Sequence, residues 1–450
     1  MDDLVDFDDQ WLALLASLPS GFDLDGTARS LGAFDRARQV KDPAALLRLA
    51  LVYGGCGMSL RQTCAWAAET GLAEISDPAL LKRLRNAQAW LAGLTQAMLS
   101  ERIALQEHSH QPRRLCAVDA TTLCEPGAKG TSWRLHVGYD LVAGQVDQLT
   151  LTDDSGAESL SRFVCRPGDI VLADRGYAKA RDLRPVIDAG ADFITRMGWN
   201  ALHLLQPDGS AFDLFGTLAT VLAGDAEVQV AVDERIKGAA PLGLRLVIVR
   251  KSEADAARAQ ADVRRSASKR CKTLDPRSLE AAKYVLLLTS LSAAEYPAAR
   301  VAALYRLRWQ IELAFKRWKS LAGLDRLPAK DPALARSWIY ARLIAALLAE
   351  KTTGPEPESS PSGAETGGSS FALAVYGHRP ANRPRRHRRT PKMDGDQSHR
   401  HKMRPLPTRP AAQANPSNEP QRRLKLALMG LRPATRRGLR PLTPINVSLS

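Results

Sequence analysis

One predicted helix carries a stripe of side chains that combines one carboxylate with two cations and a phenol. Its members, spaced Y-x2-R-x3-E-x6-K, are Tyr305, Arg308, Glu312 and Lys319. At about 100° per residue, the four fall within an arc of about 60°. The apolar face beside this stripe predicts packing on a core, and it consists of Leu307, Ile311, Phe315 and Trp318. A carboxylate in such a place can ligate a metal ion, and the neighbouring cations can bind phosphates.

Two aspartates upstream lie where buried strands are predicted. Asp119 ends the apolar run of a predicted strand within residues 115–123, and Asp174 directly follows a buried run over residues 170–173 and opens an Asp-Arg-Gly turn. An acid after a buried strand is a frequent position for a functional residue. An Asp there also serves as a cap or turn former, and an Arg–Glu pair four residues apart is a common surface ion pair. The combination of all these positions favours a functional site.

The three acids, taken with the Tyr-Arg-Glu-Lys signature, resemble DDE transposases of the IS4 family of bacterial insertion sequences. The resemblance covers roughly residues 25–350. It implies an α/β fold, a ribonuclease-H-like catalytic domain with a mostly β insertion between the second Asp and the Glu. The spacing points to an insertion independently, because the separation of 138 positions from Asp174 to Glu312 far exceeds one strand–helix crossover.

The resemblance also implies a mechanism. Asp119, Asp174 and Glu312 would be the catalytic residues and would hold Mg²⁺ or Mn²⁺, with two ions in the site. Water would first cut the DNA at the ends of the element, and the freed 3′-hydroxyl would then attack target DNA. The expected partners are therefore double-stranded DNA, both as terminal repeats and as target, and a second copy of the chain in a homodimer.

The other residues of the stripe are expected to contact DNA. By the same resemblance, Arg308 and Lys319 would bind phosphates and Tyr305 would donate a hydrogen bond to one. Trp309 borders the stripe, and it either stacks on an unpaired base or packs within the protein. Glu158 would lie near the edge of the active site in such a fold, and we interpret it as an acid at the start of a helix.

The chain has 450 residues and a net charge of +15, which favours a polyanionic partner. The charge is uneven, because residues 354–450 hold 18 Lys and Arg against 6 Asp and Glu. The preceding residues are close to neutral. Cationic side chains in that part must therefore act locally rather than through a general field.

Residues 1–110 are predicted to form a helical N-terminal DNA-binding region. Two capped helices over residues 59–71 and 76–85 are separated by a glycine turn, and the second carries Lys82, Arg83 and Arg85. This pattern is typical of a helix-turn-helix with a basic recognition face. An ordinary pair of antiparallel helices has the same pattern.

Residues 111–350 are predicted to form the catalytic domain, with its β-rich insertion at about 190–290. Alternating strand and turn signals predict a hairpin of residues 133–140 and 145–152. Further β-like runs occur in the insertion at residues 193–195, 226–232, 244–249 and 283–289. Residues 252–270 resemble a solvated helix or a basic arm.

Residues 351–450 are predicted to be a disordered or frameshifted tail rich in Pro and Arg. Residues 354–450 contain 14 of the 27 prolines together with arginine runs, and they lack apolar periodicity over most of their length. A basic DNA-binding arm is the alternative. IS4-like transposases usually continue with a folded helical region, so this segment departs from the family pattern.

The sequence predicts a cytoplasmic bacterial protein associated with the nucleoid and no membrane contact. The acidic N-terminus is unlike a signal peptide, and no apolar run reaches 18 residues. The six cysteines lack the C-x2-C spacing of zinc sites and fit reduced, buried thiols.

Three alternatives to a transposase remain on the sequence alone. The first is a metal-dependent nuclease of the same fold that never joins strands. The second is an inactive remnant that binds DNA without cutting it. The third is a glycosidase with paired carboxylates, which would need aromatic sugar platforms, whereas aromatic residues make up only 6% of this chain.

Overall fold

A nine-stranded mixed sheet lies at the centre of the residues that the structure describes. This computed structural model describes residues 11–107, 113–128, 130–222, 224–235, 240–320, 323–324 and 327–353. The strands are β1 (Leu115–Leu123), β2 (Trp133–Asp140), β3 (Gln145–Asp153), β4 (Ile170–Ala173), β5 (Asp192–Arg196), β6 (Leu204–Leu205), β7 (Asp225–Val232), β8 (Leu242–Arg250) and β9 (Tyr284–Thr289).

Helices cover the sheet. Residues 11–16 are helical, and the α-helices that follow are α1 (Leu24–Ser30), α2 (Pro43–Gly55), α3 (Leu60–Glu69), α4 (Asp77–Asn86), α5 (Gln88–Glu107), α6 (Ala180–Asp188), α7 (Leu214–Thr220), α8 (Glu253–Lys269), α9 (Pro276–Ala281), α10 (Ala298–Arg306), α11 (Trp309–Ser320) and α12 (Pro332–Thr353). Two short 3₁₀ turns span Leu160–Arg162 and Arg175–Tyr177.

The sheet has the order β3-β2-β1-β4-β5-β9-β8-β7-β6. β1, β4 and β5 run parallel to one another, while β2 and β3 form an antiparallel hairpin beside β1. The hairpin matches its prediction, and Gly144 supplies the positive φ of 65° that its turn requires. A mixed α/β fold is therefore confirmed, and its strand order is consistent with a ribonuclease-H-like domain.

The strands predicted within the insertion extend this same sheet. β9 lies antiparallel to β5, and β8, β7 and β6 follow outward from it. The segment between β8 and β9 that was predicted to be a helix or a basic arm forms helix α8. Ser252 caps this helix by accepting a hydrogen bond from the backbone N–H of Asp255.

Hydrophobic cores lie on both faces of the sheet. Because side chains alternate along a strand, Ala117 and Val118 of β1 point to opposite faces. Val118 packs in a core with Val186 of α6. Ala117 packs in a core that includes Trp90 of α5 and Ile344 of α12. Helices α2–α5 thus share one hydrophobic core with β1–β3 and α12.

Local capping explains where the N-terminal helices begin. Asp42 caps α2, and Ser59 forms a reciprocal capping box with Gln62 at the start of α3. The serine hydroxyl of Ser337 in α12 donates to the backbone oxygen of Leu84, which ties α12 to α4. The two helices of the predicted helix-turn-helix therefore form, with α4 packed on α12.

Three further predictions concern the C-terminal tail, membrane-spanning helices and the cysteines. Apart from residues 351–353, which end α12, the predicted tail lies outside the described residues. Within the described part of the chain, no helix is long and apolar enough to cross a membrane. All six cysteines are free thiols, but of these only Cys64 and Cys116 are buried. Cys56 and Cys165 are partly buried, and Cys124 and Cys271 are exposed because they lie in the loops after β1 and α8.

Candidate active site

Asp119 and Asp174 lie side by side on neighbouring parallel strands. Val118 of β1 pairs with Ala173, the last residue of β4, and each Asp is the next residue in its chain. Adjacent strands are about 4.8 Å apart, so the register brings both carboxylates to the same face of the sheet. β1 matches the predicted strand over residues 115–123, and it continues past the apolar run that Asp119 ends by pairing with β2.

The predicted single helix over residues 305–319 is interrupted, which corrects the sequence interpretation. α10 ends at Arg306 and α11 begins at Trp309. At the break, the N–H of Arg308 donates to the Tyr305 oxygen (3.1 Å) and the N–H of Ile311 donates to the Arg308 oxygen (3.2 Å). These i to i−3 hydrogen bonds are tighter than those of an α-helix. The break consists of Leu307 and Arg308, so Tyr305 lies in the last turn of α10 and Arg308 directly precedes α11.

Buried apolar side chains fix the orientation of α11. Ile311, Phe315 and Trp318 pack into the core beneath the helix, as their spacing predicts, while Leu307 at the break is only partly buried. Glu312, next to Ile311, then points away from the core, and its side chain is 50% exposed. The packing of the helix therefore places the third acid over the sheet edge that carries the two aspartates.

Arg308 and Tyr305 join the three carboxylates into one cluster. The Arg308 guanidinium donates from Nη1 to Oδ2 of Asp119 (3.0 Å) and from Nη2 to Oε1 of Glu312 (2.8 Å). The Tyr305 hydroxyl donates to Oδ1 of Asp174 (3.1 Å). One guanidinium thus bridges the first and third acids, and the phenol holds the second.

The two aspartates experience different electrostatic environments. Burial raises the pKa of Asp119 and outweighs the lowering by the Ala120 N–H and by Arg308. Burial also raises the pKa of Asp174, but the backbone N–H of Arg175 and the charges of Arg308 and Arg196 outweigh it, so this pKa lies below its usual range. Burial lowers the pKa of Arg308, and its anionic surroundings more than reverse that effect, so the guanidinium stays charged.

The chemistry of these side chains fits a hard divalent cation. Among the described residues, no three Asp, Glu, His or Cys side chains already form a metal-ligating group. The positive charge between Asp119 and Glu312 is that of Arg308, whose side chain is only 13% exposed. A half-buried set of carboxylate oxygens that already attracts a cation is the type of ligand set that Mg²⁺ and Mn²⁺ prefer.

The predicted DNA contacts of α11 lie at the surface. Trp309 lies at the surface with 39% of its area accessible, so it is not fully packed within the protein. Lys319 is partly buried and lies about two helical turns beyond Glu312, on the same side of the helix.

The three cations predicted to bind DNA from α4 differ in their contacts. Lys82 is exposed. Arg83 lies over the Phe34 ring and donates to the backbone oxygen of Arg36, and Arg85 pairs with Asp331 at 2.9 Å. Lys82 is therefore accessible to a ligand, whereas Arg83 and Arg85 already contact other residues of the protein.

A second group of cations beside Asp174 is not apparent from the sequence patterns. Burial and then Arg196 lower the pKa of Arg175. Burial, Arg196 and Arg175 lower the pKa of Lys251. These residues follow β4, end β5 and follow β8, so their shared position after or at the end of strands is the signal that could have identified them. Cations that lower one another's pKa in this way favour a bound anion.

Two Asp side chains from parallel strands and a Glu from a covering helix define a class of enzyme, one that cuts or transfers phosphodiesters with divalent metal ions. Residues 110–348 match the family described as Transposase DDE domain, and the chain belongs to this family. Members of the family generally use divalent metal ions.

The relatives include transposases of insertion sequences. The transposase for element IS421 of Escherichia coli is 41% identical over 358 residues, which cover 78% of this chain and 96% of that protein. The InsL protein of element IS186A from Escherichia coli K12 is also 41% identical, over 357 residues. The transposase for IS1151 of Clostridium perfringens is 28% identical over 247 residues, 50% of this chain and 52% of that protein.

These similarities confirm the predicted membership of the IS4 family and the predicted enzyme class, a DDE transposase. DNA is therefore the substrate. A remnant that only binds DNA is not favoured.

Proposed function

We propose that this transposase cuts DNA at the ends of an insertion sequence and joins the freed 3′ ends to target DNA, with Asp119, Asp174 and Glu312 as its metal ligands. The observation that carries the proposal is the cluster itself. Arg308 bridges Asp119 and Glu312 while Tyr305 holds Asp174, so side chains far apart in the sequence meet at one place.

The side chains around the three carboxylates would have distinct roles in catalysis and DNA binding. Two divalent ions, when bound, supply an activated nucleophile and stabilise the charge on the leaving oxygen. Tyr305 orients the Asp174 carboxylate by its hydrogen bond. Arg175 and Arg196 act electrostatically on that carboxylate, and Lys251 acts with them as a third cation; these cations bind the phosphates that flank the cut. Trp309, exposed at the start of α11, stacks on a base released from the duplex.

A plasmid assay tests this proposal against the nuclease alternative. A supercoiled target plasmid and a labelled fragment carrying an element end are incubated with the protein and Mg²⁺ or Mn²⁺. The proposal expects label to become covalently joined to the plasmid. Cleavage of the end without any joined product would support a nuclease instead.

Lys319→Ala tests the proposed phosphate contact of α11. The variant should weaken binding similarly for different end sequences and should reduce the slope of log K against log salt by about one, since one phosphate contact releases about one counterion. Fluorescence anisotropy over a salt series measures both. Lys272, an exposed lysine after α8, gives the matched control Lys272→Ala. A loss restricted to one end sequence would instead indicate base recognition.

We further propose that α3 and α4 bind DNA as a helix-turn-helix. Lys82 and Arg85 of α4 are both exposed, and Arg85 pairs with Asp331. Lys82→Ala should therefore weaken DNA binding and leave the thermal midpoint of the protein unchanged. Arg85→Ala breaks a partly exposed pair with Asp331 and should change that midpoint only slightly. If Lys82→Ala binds end DNA as tightly as Lys272→Ala, α3 and α4 are an ordinary helical pair.

Two expectations from the resemblance complete the proposal. Two element ends must be processed together, which a homodimer achieves by providing one active site for each end. Light scattering of the protein with and without end DNA measures this state. Association with the bacterial nucleoid follows from DNA as the substrate and stays a prediction that imaging of a tagged protein can check.

A further inference from the structure

Glu158 reaches the active site from the connection between β3 and β4. An added Cβ on Gly176 would overlap with Oε2 of Glu158, so this carboxylate occupies the space that a side chain at position 176 would fill. Gly176 lies two residues after Asp174. The interpretation of Glu158 as an acid that starts a helix is wrong, because Ser159 caps the following 3₁₀ turn.

The backbone around Glu158 is held by an unusual set of hydrogen bonds. Three consecutive carbonyl oxygens each accept from a cationic side chain. The pairs are Arg134 Nη1 to Gly156 (2.7 Å), Arg162 Nε to Ala157 (2.9 Å) and Lys179 Nζ to Glu158. Holding three long side chains in place costs conformational entropy, which an ordinary surface turn does not require. The segment is therefore built to fix the direction of the Glu158 side chain.

A buried hydroxyl nearby has no partner. Tyr177 is completely buried, and its hydroxyl forms no hydrogen bond with any residue that the structure describes. Burial, followed by the charges of Asp119 and Glu158, raises its pKa. A buried donor without an acceptor is costly. Tyr177 therefore holds an unused hydrogen-bond donor directly after Gly176, the residue against which the Glu158 carboxylate lies.

We propose that Glu158 is a fourth carboxylate of the active site and ligates a divalent metal ion beside Asp119 and Asp174. The inference rests on the proposed function, because it adds a ligand to the same site. Glu158 forms no ion pair with any described residue, although Arg134, Arg162 and Lys179 surround its backbone. Its carboxylate lies against Gly176, two residues after Asp174 in the chain. Carboxylates brought together in this way gain most when a cation lies between them.

Mn²⁺ binding to the full-length protein, followed by calorimetry, tests the inference without requiring turnover. Glu158→Gln should raise the Mn²⁺ concentration needed for half-saturation about tenfold or more, the usual cost of losing a group that supports a metal site. Asp154→Asn removes a charge from an exposed position four residues away and should bind Mn²⁺ like the unaltered protein. The thermal midpoint of metal-free Glu158→Gln should stay the same or rise, because one repulsive charge is removed.

A second variant tests the geometry itself. Gly176→Ala places a methyl group where the Glu158 carboxylate lies and should weaken Mn²⁺ binding as Glu158→Gln does. In a Glu158→Ala background the same methyl has no carboxylate to displace, so it should have no further effect. Additive losses in the double variant would overturn the proposed contact.

Asp119→Asn distinguishes this inference from the function on which it rests. If Asp119→Asn weakens Mn²⁺ binding and Glu158→Gln does not, the fourth ligand is overturned and the three-carboxylate site stands. If Asp119→Asn leaves Mn²⁺ binding unchanged, the proposed metal site itself fails. A lower thermal midpoint of Glu158→Gln together with unaltered Mn²⁺ binding would show a purely structural role and would also overturn the inference.

Discussion

Asp119→Asn and Asp174→Asn should each reduce the rate of end cleavage about a thousandfold or more, because a metal ligand supports several kcal/mol of transition-state stabilisation. Both variants should still bind end DNA in the absence of metal, since neither removes a cation. A radiolabelled end fragment with saturating Mn²⁺ measures the cleavage rate, and anisotropy measures the binding. Asp154→Asn, exposed in the turn after β3, is the matched control and should cleave normally.

The same two variants should differ in stability, which separates a lost ligand from a lost fold. The pKa of Asp119 is raised in the folded protein, so its ionised form lowers the free energy of unfolding above that pKa. Asp119→Asn should therefore keep or raise the thermal midpoint at neutral pH. The pKa of Asp174 is lowered, so its charge stabilises the fold above the unfolded pKa, and Asp174→Asn should lower the midpoint. Normal cleavage by either variant would remove that residue from the site.

The elements that carry the acids could be predicted because their signals are local. The buried run of β4 and the turn after it depend on residues 170–176 alone, and strand and turn agree with the structure. The Y-x2-R-x3-E-x6-K spacing is likewise contained in one short segment. Its apolar positions Ile311, Phe315 and Trp318 are buried as their periodicity predicts.

Features that depend on distant partners could not be predicted. β1 continues past Asp119 because β2 offers paired backbone groups, and the apolar pattern stops before that point. The break between α10 and α11 replaces i to i−4 with i to i−3 hydrogen bonds at Arg308 and Ile311, although no Gly or Pro there announces it. Helical periodicity therefore grouped residues that the structure also brings together, Tyr305, Arg308 and Glu312, although the continuous helix on which it relied does not form.

The position of Glu158 beside the active site also depends on distant partners and could not be predicted. Its neighbours Gly156 and Ser159 indicate a turn, and an acid at a turn is commonly a residue that starts a helix. Only the fold brings Gly176 against its carboxylate and Arg134, Arg162 and Lys179 against its backbone. Each of these contacts joins segments that have no shared sequence pattern.

Arg308→Ala should combine tighter metal binding with much slower cleavage. The guanidinium donates to Asp119 and Glu312 at 3.0 and 2.8 Å, so it competes with a metal ion for the same oxygens and repels it. Removing Arg308 should lower the Mn²⁺ concentration at half-saturation. When a metal ion takes these oxygens, the Arg308 guanidinium is released and can contact a DNA phosphate, and Arg308→Ala removes this contact. The rate of cleavage should therefore fall about a hundredfold or more, comparable to the loss of one preorganised donor to transition-state charge.

The thermal midpoint of Arg308→Ala, measured with and without Mn²⁺, also tests whether the guanidinium competes with the metal ion. In the metal-free variant, Asp119 and Glu312 lose the cation that they share, so the thermal midpoint should fall, since breaking a partly buried ion pair from one side leaves charge uncompensated. Mn²⁺ should raise the midpoint of this variant by more than it raises that of the unaltered protein.

Arg308→Lys keeps the charge but not the bidentate geometry. Its Mn²⁺ affinity and cleavage rate should both lie between those of the unaltered protein and of Arg308→Ala. Arg258→Ala, which breaks a surface pair with Asp255 on α8, is the control and should change neither. Weaker Mn²⁺ binding by Arg308→Ala would mean that the guanidinium supports the metal site rather than competing for it, and its release onto DNA would then have no physical basis.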